Sequence, residues 1–434
     1  MLSINFIKKN IELVKKAIKE KNSNINLDEF LELDIKRIKI QTEVENFRAK
    51  KNELSKSIKD KPTEEQIKEG KKIKEELLDL EENLIKIEKE FNEILFSIPN
   101  VTDPTMPVGK DGEDNVEIKK WGEKTKFDFE VKSHIDLGVS LDIIDIEKAA
   151  EVSGSRFFYL KNEAVLLQFA IVQFVFDTLR NEEVLKAIIK EVGVDVSTKP
   201  FIPILPPVMI RNEVQKSIHR VFGDQTYSLN NEELNLVASA EHTMAPYHMG
   251  EIVDYKNLPL RYIGYSTSFR REAGTYGKDM GGILRTHQFD KLEMESFTDV
   301  ETGLDEQKFI VGIQEYLIQQ LEIPYRLVHV CTGDTGNPDY NQFDIECWIP
   351  SQNKYRETHT SDYMTDYQTR GIQSFYKDKE GKNKLLHTND ATAFAIGRIL
   401  IAILENYQQE DGSVKIPKIL QKYVGSELIK IKNK

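Results

Sequence analysis

Residues 33 to 94 carry an apolar repeat that leaves little freedom in how the first part of this chain folds. Leu33, Ile40, Val44, Phe47, Leu54 and Ile58 fall on alternating three- and four-residue steps, with Arg37 and Lys51 at two further seam positions. Heptad spacing of this kind draws a narrow apolar stripe along a helix and requires a partner stripe to cover it. Pro62 then ends the first helix, and Thr63 followed by Glu64, Glu65 and Gln66 offers a capped start to a second. In that second helix Ile73, Leu77, Leu80, Leu84, Ile87, Phe91 and Ile94 keep the spacing without a miss. The pattern predicts an antiparallel helical hairpin whose arms, at the usual rise per residue, are each about 50 Å long. A seam so narrow has little else to bury, so the hairpin should project. Off the seam stand Lys50, Lys51, Lys56, Lys59, Lys61, Lys71, Lys72 and Lys74 among many glutamates. Such a face is either a solvated mixed-charge surface or a grip for a phosphate backbone.

From Pro99 to Lys126 the chain is rich in Pro, Gly, Asp and Lys and shows no sustained periodicity, which marks a linker. Three parts follow: an arm domain over 1–98, a linker over 99–126, and a larger domain over 127–434. In the last, Glu163 to Arg180 is helical by pattern. FIPILPPVMI, LRYIGYS, RLVHVC and FDIECWI are β-rich runs at unequal intervals. That alternation predicts an α+β fold built on a largely antiparallel sheet.

The chain has 434 residues, 39% of them hydrophobic, which suffices for a sizeable core. The formal net charge of −12 means that any nucleic-acid-binding surface must be a local patch. Cys331 and Cys347 lack metal-binding spacing and read as reduced thiols in strands. The first residues, MLSINFIKKN, scatter lysines among apolar positions and do not read as a signal peptide. No stretch reaches the roughly 20 apolar residues of a membrane helix. A cytoplasmic chain without a membrane or DNA partner is expected.

The most informative stretch is SFRREAGTYGKDMGGILRTHQFDKLEMESF, Ser268 to Phe297. Arg270 and Arg271 end a strand, and a basic loop with Gly274, Gly277, Lys278, Gly281 and Gly282 leads to Arg285. A second strand then alternates through Phe289 and Glu293. Arginines there can hold phosphates bidentately while Phe289 offers its face to a base. GTYGK lacks the GxxxxGK[ST] spacing of a P-loop. In a second stretch, IGRILIAILENYQ, an amphipathic helix from about Thr392 to Tyr407 carries Arg398 out of an apolar sequence, and a buried arginine demands an anionic partner.

The first stretch resembles motif 2 of class II aminoacyl-tRNA synthetases in the form found in seryl-tRNA synthetases, and the second resembles motif 3 with the tail of that family. The resemblance implies that Arg270 contacts the ATP α-phosphate, Glu272 the adenine side, Phe289 the adenine face and Arg285 the pyrophosphate. It further implies that Glu293 reads serine and that Arg398 clamps the γ-phosphate. The chain has Asn389-Asp390-Ala391-Thr392 where the family usually has neutral residues before a hydroxyl, so Asp390 and Thr392 fall in the serine site. Ala238-Ser239-Ala240-Glu241 is similar to the family's TAE element, with Ser239 for Thr and Glu241 as ligand of the α-ammonium. Phe343 to Thr360 resembles a strand pair in which Glu357 and Thr360 hold Mg²⁺, while His359 and Asp362 are unexpected beside it. Ile204 to Val208 resembles motif 1, the dimer element, and SGSRF at Ser153 to Phe157 has a structural role in the family. Residues 181–199 read as an insertion.

By this resemblance the chain activates L-serine with ATP and Mg²⁺ and charges tRNA(Ser), with tRNA(Sec) left open. It does so as a homodimer whose arm clasps the tRNA. Two rivals remain open at this point: an enzyme that loads an acceptor other than tRNA, and one that selects another small amino acid.

Overall fold

A computed structural model describes residues 1–58, 61–220, 223–273 and 281–431. They divide into two compact units, Met1–Val101 and Thr102–Lys434.

In the first unit, α1 (Leu27–Ser57) and α2 (Glu64–Ser97) form the hairpin. Asn26 caps α1 by accepting from the amides of Asp28 and Glu29. Thr63 and Gln66 close a reciprocal capping box at the start of α2, so the residue pattern that announced the helix also satisfies its free amides. Val44, Ile73, Leu77 and Phe91 of the seam are buried. Seam position 37 is not an interruption, because Arg37 spends its charge locally: its guanidinium lies 4.6 Å from the Phe91 ring centre and Nη2 is 2.7 Å from Asp34.

The second unit is built on a sheet that has eight strands among the described residues: β1 (Val116–Trp121), β2 (Ile202–Ile204), β3 (Leu260–Phe269), β4 (Gln288–Thr298), β5 (Tyr325–His329), β6 (Asn341–Ile349), β7 (Lys354–Thr365) and β8 (His387–Ala395). Their order is β1-β5-β6-β7-β8-β4-β3-β2, antiparallel throughout except for the β2–β3 pair. The stretch expected as linker therefore supplies β1, an edge strand paired to β5. Lys and Glu dominate VEIKKW, and that charge hid its pairing.

Among the helices of this unit are α3 (Asn162–Leu179), α4 (Glu182–Val192), α5 (Gly303–Gln320) and α6 (Ile396–Asn406). Strand alternation sorts the two faces of the sheet. Leu292 and Met294 of β4 and Ala391 and Ala393 of β8 join one apolar cluster with Leu167 and Val175 of α3, Phe309 and Ile313 of α5 and Ile399 and Ile403 of α6. Each fully buried Leu, Ile, Val, Met or Phe among them contributes about 1.5–3 kcal/mol. Phe289, Lys291, Asp390 and Thr392, on the alternate positions, turn to the other face, where they line a cavity.

Three local expectations change. Thr392 lies on β8 rather than on a helix, because residues 387–395 pair with β4, and α6 starts only at Ile396. Cys331 follows β5 instead of lying in it, while Cys347 is within β6; both are free and buried. Among the described helices α3 is long and apolar enough to cross a membrane, and half of it is buried within this unit.

The run 181–199 forms α4, capped by Asn181 and ended at Gly193 with φ +77°. Its end packs so closely on α5 that a Cβ at Gly312 would come within 2.4 Å of Val192. The segment beyond gives its Ser197 and Lys199 carbonyls to the wholly buried Arg261, which forms an ion pair with Glu306 at 2.6 Å.

Candidate active site

The cavity, about 420 Å³, opens on the polar face of β4, β6, β7 and β8. It is lined by Ser239, Glu241, Arg270, Glu272, Arg285, Phe289, Glu357, Thr360, Asp390, Thr392 and Arg398. Of the candidates named from sequence, Glu293 alone does not line it. Glu293 lies one alternate position beyond Lys291 on β4, fully buried, with Lys291 Nζ 2.5 Å from its carboxylate. Gly274, Gly277 and Lys278 of the motif 2 loop, and Lys59 of the hairpin, lie outside the described residues.

At the phosphate end, β3 stops at Phe269 and delivers Arg270, whose Nε donates to the Ala238 carbonyl at 3.2 Å. The guanidinium lies 5.3 Å from the Phe289 ring centre, within cation–π range, so an arginine and a flat apolar face are presented together. Arg285 approaches Glu272 at 3.6 Å. Arg156 of the SGSRF segment supports this turn by donating to the Glu272 carbonyl at 3.2 Å, and its own carbonyl accepts from the His287 amide. Arg398, in the first turn of α6, donates to both the carboxylate and the carbonyl of Glu357, at 2.8 and 3.0 Å.

Glu357 and Thr360 are three residues apart, a spacing that on a regular strand sends them to opposite faces. The register between β6 and β7 shifts there, with Ile345 opposite His359 and Glu346 opposite Glu357, so Thr358 is the extra residue of a bulge. The bulge brings both onto the cavity. Burial pushes the Glu357 carboxyl up, but Arg398 and Arg270 more than reverse this and hold it below the usual range. An ionised carboxylate beside a hydroxyl is a donor set that suits Mg²⁺. Asp344, opposite Thr360, also lines the cavity, and burial together with Glu357 raises its pKa well above normal.

The other end is a floor of acids. Glu295, Asp390 and Asp362 are direct neighbours across β4, β8 and β7. Arg220, from the loop after a short helix at Asn212–Ser217, comes down on this floor. Its Nε is 2.5 Å from Glu241, and Nη2 lies 3.4 Å from Asp339, 3.4 Å from Asp390 and 3.7 Å from Asp362. Gln368 donates to the same Glu241 oxygen at 2.8 Å. Burial raises the pKa of Glu241, and the Arg220 charge overcomes that and holds it low. Burial and neighbouring acids push Glu295, Asp362 and Asp390 up.

Sequence reasoning missed Arg220, Lys291, Asp339 and Asp344. Lys291 could have been found by its two-residue spacing between Phe289 and Glu293; Arg220 sits in a loop without pattern. Asp362, unexpected in the sequence, faces the cavity. His359 does not line it: it packs on Phe394, meets Thr358 at 2.8 Å, and is pushed down to about 3 by burial, hence neutral.

An antiparallel sheet with one arginine at the end of a strand, a second in the first turn of the following core helix, and a stacking phenylalanine between them defines the catalytic core of a class II aminoacyl-tRNA synthetase. Residues 225–407 match the tRNA synthetase class II core domain of the G, H, P, S and T enzymes, and residues 1–102 match the seryl-tRNA synthetase N-terminal domain. Serine--tRNA ligases of Dictyoglomus turgidum and Treponema denticola are 40% and 41% identical to this chain, over 100% and 99% of it and all of each relative. The seryl-tRNA synthetase of Pyrococcus horikoshii, solved with ATP, superposes with a TM-score of 0.86 at 36% identity, covering all of both chains. The Naegleria fowleri cytoplasmic enzyme, solved with AMP, gives 0.82 at 28% identity, covering 100% of this chain and 99% of that one. The chain belongs to the seryl-tRNA synthetase family, the serine--tRNA ligases.

Proposed function

We propose that this chain activates L-serine with ATP and charges tRNA(Ser), with the cavity residues in the roles that the family resemblance assigns. The observation that carries the reading is the convergence of residues from β4, β7, β8, α6 and the turn after β3 on one cavity, cationic and aromatic at one end and acidic at the other.

Phe289 stacks on adenine and Glu272 meets its edge. Arg270 and Arg398 neutralise the α- and γ-phosphates, and Arg285 the pyrophosphate end. Glu241 binds the serine ammonium; Ser239, Asp390 and Thr392 surround the rest of the amino acid, and Glu293 acts from behind the cavity wall through Lys291. Glu357 and Thr360 would hold Mg²⁺, which would supply further charge neutralisation on the phosphates. The serine carboxylate attacks the α-phosphorus, the bond to the bridging oxygen breaks, and pyrophosphate leaves. The terminal ribose hydroxyl of tRNA then attacks the seryl carbonyl, losing its proton, and AMP leaves. Neither step uses a protein nucleophile; rate comes from positioning and preorganised charge.

Exposed apolar side chains at and near the motif 1 segment, Ile202, Leu205 and Met209, support a homodimer. The lysine-bearing hairpin supports a contact with the tRNA backbone. No partner other than ATP, serine, tRNA and a second copy is invoked, and the reading assigns the chain to the cytoplasm.

The test is ATP–pyrophosphate exchange with each of the twenty amino acids, followed by tRNA charging, with Arg270→Ala as control. Exchange with serine alone, lost in the control and accompanied by charging, is expected. Exchange with a different amino acid, or serine activation without charging, overturns the reading.

A further inference from the structure

Asp390 stands where the family usually has a neutral asparagine, and a buried carboxylate in a row of carboxylates should weaken the site. It is 2% exposed, with Glu295 and Asp362, themselves 0% and 6% exposed, as its direct cross-strand neighbours. Like charges directly opposite on adjacent strands repel, and burial magnifies the repulsion.

The compensating charge comes from outside the sheet. Arg220 is 8% exposed and points its guanidinium into the row. With Nε on Glu241 at 2.5 Å and Nη2 on Asp390, Asp339 and Asp362 at 3.4, 3.4 and 3.7 Å, one planar cation ties together acids from four separate parts of the chain. The Met364 sulfur lies 3.6 Å from the same Nη2. Asp390 and Arg220 thus belong together: the acid is tolerable because the arginine is there, and the buried arginine is tolerable because of the acids. The geometry points to Arg220 as a positioning residue for amino-acid selection, one that fixes Glu241 for the ammonium and holds the Asp390 carboxyl in place beside it for the serine hydroxyl. Alanine, which brings no hydroxyl, leaves the held Asp390 carboxyl without a partner, so the pair sharpens rejection of alanine.

The inference rests on the serine-activating reading, and wild-type exchange with serine is the baseline that separates failure of one from failure of the other. Arg220→Gln, Arg220→Lys, Asp390→Asn and the double variant Arg220→Gln/Asp390→Asn are compared by exchange kinetics with serine, alanine and ATP varied in turn, each variant checked for its melting temperature. Arg220→Gln is expected to raise the serine KM about tenfold or more with the ATP KM within about twofold, and to narrow the serine-to-alanine ratio. Arg220→Lys, which keeps the charge but loses the fork, should recover part of the affinity. The decisive sign is in the cycle: Asp390→Asn weakens serine binding when Arg220 is present and improves it when Arg220 is replaced. If Arg220→Gln fails to fold, Arg220→Lys with and without Asp390→Asn gives the same sign test. Additive effects, equal losses for serine and ATP, or an unchanged serine KM overturn the proposal.

Discussion

Arg398 and Glu357 hold each other at 2.8 Å across the cavity wall, and each has a role that the other's charge sets up. The pair holds the Glu357 carboxyl below its usual range, as the proposed cation ligand requires, and aims the guanidinium along the wall on which the phosphates would lie. Arg398→Ala removes both the clamp and the charge partner of a carboxylate whose side chain is 49% exposed. Exchange activity should fall by a factor on the order of 10²–10³, with ATP KM rising far more than serine KM, as read from initial rates with each substrate varied. A larger effect on serine would reassign the residue. Arg398 was legible because it is the one polar residue in the run IGRILIAIL that opens the helix, and Arg270 because FRREAG stands at a strand end. Arg220 and Arg261 were not. One acts from a loop and the other within LPLRYIGYS, and each acquires its role from acids or carbonyls far along the chain, which no local pattern records.

The hairpin shows what a heptad can and cannot say. Seam positions, turn and capping box followed from residue spacing because each depends on neighbours within one or two turns. The fate of Asp34 did not, since it needs two separate helices: Lys8, from the short helix Ile4–Lys9, reaches it at 2.5 Å and Arg37 at 2.7 Å. Burial would raise its pKa, but these two cations hold it below the usual carboxylate range. A carboxyl whose folded pKa is depressed stabilises above its unfolded value, about 4, and that contribution fades as the pH falls toward the folded value. Hydrogen exchange of the amides of α1 should accordingly lose protection on acidification below about pH 4. Asp34→Asn should lower the local opening free energy at pH 7 by about 1–3 kcal/mol and remove that part of the acid dependence. Equal protection in both proteins at pH 7 would show the cluster to be idle. The bulge at Thr358 is the sheet's counterpart: a one-residue register shift that spacing within one strand cannot announce, yet without it Glu357 and Thr360 face opposite ways.

Across the whole molecule, the residues assigned to activation all fall within the unit Thr102–Lys434, while the lysines assigned to tRNA lie on the hairpin of the unit Met1–Val101. The α+β class and the arm were legible because both rest on repeated local patterns; the linker was misread because β1 is charged and gains its place only by pairing with β5. This separation predicts that the two half-reactions respond differently to salt and to charge reversal. The chain carries a net charge of −12, so attraction to RNA cannot come from the molecule as a whole and must come from the local lysines. Lys50, Lys51 and Lys56 are exposed along α1. Each lysine that neutralises a phosphate makes binding steeper in salt, because condensed counterions are released on contact. Replacing these three by glutamate should raise the KM for tRNA about tenfold or more at moderate salt and flatten its salt dependence, while serine-dependent pyrophosphate exchange stays within about twofold of wild type. Measured together across a salt series, charging and exchange distinguish the outcomes. Loss of both would mean that the substitutions disturb folding, whereas a tRNA KM that keeps its wild-type value and salt slope would return these lysines to a merely solvated surface.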